Sequence, residues 1–186
     1  MLVSFQEFNL EIRQAKGMSG IVWEGALILS KFLNKNKSHL QGIASVVEVG
    51  GGTGMCGIAL AKSLPHLKVT ITDLPEALEL IKSNVELSEV SNVQVKTLDW
   101  FECCETQKFD LVIGSDVVYS PTLYEPLLNT LEKLTLGFVL LCNEIRLTWN
   151  IDFYKLAIEK GWQVTIMPEF MHDSYDSNCP VFKLKK

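Results

Sequence analysis

The sequence predicts an α/β fold: a seven-stranded, mostly parallel sheet with its last strand antiparallel and helices on both faces. Three observations predict it. From residue 45 onward, short runs rich in β-branched residues alternate with longer segments of helical apolar spacing. A glycine-rich turn separates the first such run from its helix. The stretch 171–180 is polar, turn-rich and ends in proline, so the last two strands are joined by a hairpin rather than a crossover helix.

The strands are predicted at 45–49, 68–72, 93–98, 109–115, 136–142, 163–167 and 181–184. Apolar spacing places helices between them at 55–64, 75–87, 123–134 and 150–160. Pro75 suits a first helical turn and Gly161 suits a helix C-cap. Ahead of the sheet, 23–33 predicts one more helix and 9–13 an edge strand.

Composition limits the possible functions. The chain has 186 residues, of which 47% are apolar, so we expect one domain, with residues 1–44 as an N-terminal strand and helix and 45–186 as its core. The net charge is −5 and the basic residues are scattered, which disfavours a nucleic-acid partner. No apolar run approaches the roughly 20 residues that cross a bilayer, so no membrane association is expected.

The five cysteines are odd in number and lack a CxxC spacing, and the three histidines stand apart. Neither a disulfide framework nor a metal site is predicted. The first residues include acidic side chains and no sustained apolar core, unlike a signal peptide. We therefore expect a cytoplasmic protein, and a monomer.

The turn after the first core strand carries the chemistry. It reads Glu48-Val-Gly50-Gly51-Gly52-Thr-Gly54, and such glycines let a ligand lie against bare backbone at a helix N-terminus. Asp73 ends the next strand, where a carboxylate can accept both hydroxyl hydrogens of a ribose. Together they predict a nucleoside site, although a glycine-rich turn without a ligand is the simpler alternative.

Two readings of the turn remain open. Gly52 to Gly57 fits GxGxxG, which would indicate an NAD-dependent oxidoreductase. Glu48, Gly50, Gly52 and Gly54 fit the ExGxGxG pattern of enzymes that use S-adenosyl-L-methionine, and this frame begins at the strand end. A third possibility is a non-catalytic module that binds S-adenosylmethionine and only scaffolds a partner.

Residues after the next two strands favour the second reading. Asp99 could accept a hydrogen bond from the adenine amino group and Trp100 could cover the ring. Ser115-Asp116-Val-Val-Tyr119 ends the fourth core strand, opposite the glycine turn.

With these residues the chain resembles the class I seven-strand methyltransferases, and among them the methyltransferase-like lysine methyltransferases of non-histone proteins. The resemblance covers nearly the whole chain and is carried by Val22-Trp23-Glu24, the glycine turn, Thr70–Asp73, Leu98–Trp100 and Asp116-Val-Val-Tyr119. It implies a Rossmann-like fold and a chaperone or translation factor as protein substrate. The implied cofactor contacts are Trp23, Gly50, Gly51, Gly52, Asp73, Trp100 and Ser115. Glu48 and Asp99 complete the predicted cofactor-binding set.

By the same resemblance Asp116 and Tyr119 are the catalytic candidates, facing the transferred methyl group. Asp116 would raise the pKa of an incoming lysine, so we expect it to dock the amine rather than deprotonate it. Valines stand where nucleobase methyltransferases carry two prolines, which disfavours a base as acceptor. Two departures are Gly25, where relatives carry other small residues, and the short N-terminal region.

Overall fold

A computed structural model describes residues 1–145, 148–167 and 179–186 and is centred on a seven-stranded sheet. The strands are β1 Leu2–Phe5, β2 Leu10–Arg13, β3 Ser45–Glu48, β4 Lys68–Asp73, β5 Val93–Thr97, β6 Phe109–Ser115, β7 Thr135–Cys142, β8 Gln163–Ile166 and β9 Val181–Lys185. The order in the sheet is β5-β4-β3-β6-β7-β9-β8. Among these seven described strands β9 alone runs antiparallel to its neighbours, β7 and β8, so the predicted fold class is confirmed.

Within the described ranges, five α-helices cover the two faces of the sheet. They are α1 Glu24–Lys35, α2 Met55–Ser63, α3 Pro75–Leu87, α4 Tyr124–Leu134 and α5 Thr148–Glu159. One apolar layer joins α1, α2 and α3 to the sheet through Phe32, Ile58 and Ile81. The other joins α4 and α5 through Leu131 and Phe153. In the part of the chain that the structure describes, no helix is long and apolar enough to cross a bilayer.

The N-terminal strand is not an edge of the main sheet, and in this the prediction is wrong. β2 pairs with β1, which the sequence did not indicate, in a separate hairpin that matches Leu2 with Arg13 and Phe5 with Leu10. Leu10 and Ile12 are buried while Glu11 and Arg13 are exposed. This strand buries one face against helix α3 and has no need of the sheet edge.

The last two strands pair antiparallel, as expected, but their order is unexpected because β9 lies between β7 and β8. The other elements begin or end within about two residues of their predicted bounds. The predicted turn at 171–180 lies almost entirely outside the described residues. All five parallel strands from β3 to β7 direct their carboxyl ends to one edge, and the candidate residues follow those ends.

Candidate active site

The glycine turn is held in a conformation that requires glycine. Gly50, Gly52 and Gly54 have φ of 62°, 57° and 77°, a region that residues with a Cβ rarely adopt. Gly51 donates its N–H to the Thr72 carbonyl at 2.9 Å, and a Cβ at Gly51 would lie 2.5 Å from Ile71 Cγ2. The turn is therefore fixed tightly against the end of β4.

Glu48 lies beneath this turn. Its side chain is 1% exposed, and Oε2 accepts the Gly57 N–H at 2.8 Å. Burial, with a smaller contribution from the charge of Asp73, raises the pKa of Glu48 to about 8, although the Gly57 hydrogen bond lowers it. A Cβ at Gly57 would come within 2.5 Å of Oε2, so close packing of α2 explains this glycine. Glu48 therefore stabilises the turn from its buried side by bonding the first turn of α2.

Asp73 lies on the open side of the turn. Its Oδ2 accepts the Gly52 N–H at 2.7 Å and its Oδ1 accepts the Leu74 N–H at 2.7 Å. Burial raises the pKa of Asp73, while these two hydrogen bonds lower it. The structure therefore brings Asp73 and Gly52 together, as a ribose site at this edge requires.

Trp100 closes the other side of the turn. A Cβ at Gly50 would lie 3.2 Å from Trp100 Cζ2 and 2.8 Å from Val117 Cγ1, so the bare backbone leaves a cradle that any side chain would fill. Asp99 Oδ1 accepts the Phe101 N–H at 2.9 Å and so fixes the turn that carries Trp100. A glycine cradle between an aromatic ring and a carboxylate fits a nucleoside cofactor.

Asp116 links the sheet to helix α1. Its Oδ2 accepts the Gly25 N–H at 2.8 Å and its Oδ1 accepts the Glu144 N–H at 3.0 Å. Its backbone is left-handed, with φ of 52°, and its N–H donates to the Cys142 carbonyl at 2.8 Å. A Cβ at Gly25 would lie 2.5 Å from Oδ2, which explains the glycine at this position.

Tyr119 is at the mouth of the site. It is 47% exposed, and burial of the rest of the side chain, with the charge of Asp73, raises its pKa. Ser115 is half-buried at the end of β6, where it pairs with Cys142 of β7. Trp23 is also half-buried, just before α1, and its indole N–H donates to the Met18 carbonyl at 2.8 Å.

Two buried asparagines were missed by the sequence reasoning. Asn143 Oδ1 accepts the Val118 N–H at 3.0 Å and its Nδ2 donates to the Tyr154 hydroxyl at 2.7 Å. Asn84, on α3, hydrogen-bonds the backbone of Arg13 and of Thr53 in the glycine turn. The signal that could have found Asn84 is a polar residue three positions after Ile81 on the apolar face of a helix.

Residues 4–160 match the family model described as lysine methyltransferase. The chain is 34% identical to protein N-lysine methyltransferase METTL21A of Mus musculus, over 98% of this chain and 86% of the relative. It is 38% identical to EEF1A lysine methyltransferase 3 of Xenopus tropicalis, over 63% of this chain and 53% of the relative.

Among solved structures, the S-adenosylmethionine-dependent methyltransferase SibL in its apo form aligns with a TM-score of 0.61 at 18% identity, over 84% of this chain and 55% of that one. At that identity the likeness shows the fold alone. The family match favours the methyl-donor reading of the glycine turn over the dinucleotide reading. It also confirms the resemblance inferred from the motifs: the chain belongs to the lysine methyltransferase family.

Proposed function

We propose that this protein transfers a methyl group from S-adenosylmethionine to the side-chain amine of a lysine in another, non-histone protein. The observation that carries the proposal is the meeting of two features at one edge of the sheet. The glycine cradle with Asp73 and Trp100 lies after β3, β4 and β5, and Asp116 with Tyr119 follows the adjacent β6. Membership of the lysine methyltransferase family supports the same conclusion.

S-adenosylmethionine, when bound, supplies an electrophilic methyl group on a sulfonium. Asp73 would receive the ribose hydroxyls and Trp100 would cover the adenine, with Asp99 at the same turn. The bare backbone of Gly50, Gly51 and Gly52 would lie under the ligand, and Trp23 and Ser115 would complete its surroundings. Positioning is the main contribution that such a displacement asks of a protein.

The acceptor amine must be neutral to react, yet a free lysine, with a pKa near 10.4, is almost fully protonated at neutral pH. Removal from water lowers the pKa of the amine, whereas the carboxylate of Asp116 raises it. Asp116 therefore attracts and orients the incoming ammonium and is not the base. Tyr119, half-exposed beside it, forms one wall of the acceptor channel.

A translation factor is a candidate substrate, because the Xenopus relative is named as an EEF1A lysine methyltransferase. Chaperones are the second class that the motif resemblance implies. The net charge of −5 suits a lysine-bearing protein surface. The five cysteines are free thiols, which suits our proposal of a cytoplasmic protein.

Incubation of the protein and radiolabelled S-adenosylmethionine with a cell lysate, followed by mass spectrometry of the labelled band, tests activity and acceptor together. We expect methyl-lysine in a protein. Label found in RNA or in a small molecule, or the absence of any labelled product, contradicts the proposal. Tryptophan fluorescence separates the cofactor alternatives: S-adenosylhomocysteine should quench it, and quenching by NADH alone would favour an oxidoreductase.

A further inference from the structure

Residues 13–23, which we call the N-terminal strap, run from the end of β2 to the start of α1 along the glycine turn. The Ser19 carbonyl lies 3.2 Å from where a Cβ of Gly52 would be. The strap is internally ordered: Gln14 Oε1 accepts the Val22 N–H at 3.0 Å and the Ala15 N–H donates to the Gly20 carbonyl at 2.8 Å. The strap therefore packs against the glycine turn at Gly52.

One side chain joins the strap to the turn. Asn84 is wholly buried, and its Oδ1 accepts the Arg13 N–H at 2.7 Å. Its Nδ2 donates to the Arg13 carbonyl at 3.0 Å and to the Thr53 carbonyl at 2.9 Å. The oxygen and the nitrogen of the Asn84 amide thus both hydrogen-bond backbone groups. Asn84 thereby links the first residue of the strap to the glycine turn.

A second contact holds the same strap residue from outside. The Arg13 guanidinium hydrogen-bonds the hydroxyl of Ser83, the half-buried neighbour of Asn84, and donates to the Ser83 carbonyl at 3.4 Å. An exposed contact of this kind contributes little, whereas three hydrogen bonds in a buried site are costly to lose. Asn84 therefore dominates the attachment of the strap.

We propose that Asn84 is a positioning residue for the cofactor, which holds the N-terminal strap against the glycine turn so that the strap forms one wall of the site. This inference rests on the proposed use of S-adenosylmethionine. A wall already in place does not have to be ordered when the ligand binds, so Asn84 strengthens cofactor binding without touching the cofactor. Because Trp23 is the last residue of the strap, Asn84 also helps to fix the position of Trp23.

Asn92 offers a matched control. Its Nδ2 donates to the Ala61 carbonyl at 3.1 Å and to the Leu67 carbonyl at 2.9 Å, so it too ties two backbone segments together. It lies just before β5, at the amino edge of the sheet and away from the glycine turn. Alanine at position 92 removes two side-chain hydrogen bonds to backbone carbonyls and alanine at position 84 removes three, but only Asn84 bonds the strap.

Calorimetric titration of the full chain with S-adenosylhomocysteine tests the inference. We expect Asn84→Ala to weaken binding by about tenfold. Asn92→Ala should lower the unfolding temperature but leave the dissociation constant unchanged. Asn84→Ser leaves an uncharged hydroxyl in the buried site, so it supplies a milder variant if the alanine protein does not fold. Equal binding by the Asn84 and Asn92 variants overturns the inference.

Hydrogen exchange of the wild-type protein gives a second readout that a merely structural role would not change. S-adenosylhomocysteine should slow exchange in the glycine turn and in residues 13–23 together, and in Asn84→Ser the slowing should remain only in the turn. Protection of the turn without the strap in the wild type would overturn the inference alone. A wild-type protein that binds no S-adenosylhomocysteine would overturn the proposed function itself.

Discussion

The two halves of the candidate site are built in different ways. In the cofactor half, at the ends of β3, β4 and β5, Asp73 bonds Gly52 across 21 residues and Glu48 bonds Gly57 across 9. In the acceptor half, at the ends of β6 and β7, Asp116 bonds Gly25 across 91 residues. These two bonds of the first half lie within one βαβ unit, β3-α2-β4, whereas the bond of the second half joins distant parts of the chain.

The two halves therefore depend on different kinds of residue. The cofactor half needs glycines without Cβ and a buried carboxylic acid, because its backbone must bend sharply and remain bare. The acceptor half needs single polar side chains, Asp116 and Asn143, each of which hydrogen-bonds the backbone of another segment of the chain. Substitutions in the first half should therefore change cofactor affinity and the stability of the fold. Substitutions in the second half should change the rate of methyl transfer.

The largest effect is expected from pH acting on Glu48. In the unfolded chain this carboxyl has its ordinary pKa of 4.5, whereas burial holds it protonated up to a pH of about 8 in the folded protein. The folded protein binds the extra proton between those values, so stability falls as pH rises through that range, by about 5 kcal/mol. Urea unfolding from pH 4.5 to 8.5 measures this loss.

Glu48→Gln is the matched control, because an amide keeps an acceptor for the Gly57 N–H and cannot ionise. The variant should lose most of the pH dependence and exceed the wild type in stability at pH 8. The raised pKa of Asp73 acts in the same direction and accounts for a residual slope. A wild-type stability that rises over this pH range would contradict the buried, protonated carboxyl.

The second effect is expected at Asp116. Asp116→Ala removes the charge that docks the ammonium and both bonds that place α1 and residue 144. We expect methyl transfer to fall by about 100-fold, or about 3 kcal/mol of activation free energy. The dissociation constant for S-adenosylhomocysteine should stay near the wild-type value. Undiminished radiolabel incorporation would remove Asp116 from the mechanism.

The third effect belongs to the cofactor half. Asp73→Ala should weaken S-adenosylhomocysteine binding by about 1.5–3 kcal/mol, the contribution of hydrogen bonds to a charged group. Asp73→Asn keeps the acceptor for the Gly52 N–H and should lose less. Calorimetric titration measures the affinity of each variant for S-adenosylhomocysteine. An unchanged affinity in both variants would exclude Asp73 from the site.

The smallest effect is expected at Asn143. Asn143→Leu leaves the Val118 N–H and the Tyr154 hydroxyl without this partner and should cost about 1–3 kcal/mol of stability. In Asn143→Asp the carboxylate can accept hydrogen bonds from the Val118 N–H and from the Tyr154 hydroxyl. This variant should therefore retain a higher rate of methyl transfer than Asn143→Leu. Steady-state kinetics should show kcat falling with KM for the methyl donor unchanged. A rise in that KM would mean that the two halves are not separable.

The comparison also explains what the sequence could predict. The turn from Glu48 to Gly54 and the acid at Asp73 were predictable because their spacing along one βαβ unit fixes their meeting in space. The bonds of Asp116 to Gly25 and of Asn84 to Arg13 were not, because nothing local marks the partner. Gly25, which looked like a departure from the family, is explained by the Asp116 carboxylate and the Cys142 carbonyl, both within 3 Å of where its Cβ would lie.

The N-terminal hairpin shows the same limit at the level of the fold. The alternation of Leu10, Glu11, Ile12 and Arg13 shows that one face of this strand is buried, but not what buries it. A strand packed on helix α3 and an edge strand of the sheet carry the same pattern. The roles of Asp116, Tyr119 and the cofactor contacts stay predictions until ligand binding and transfer are measured.

The place of β9 has a consequence for synthesis on the ribosome. β8 emerges before β9, yet it touches the rest of the sheet only through β9. Until residues 181–185 have been translated, β8 has no strand to pair with and β7 carries an open edge. Premature termination before Val181 would thus deprive the sheet of two strands at once and leave the nascent chain prone to aggregation.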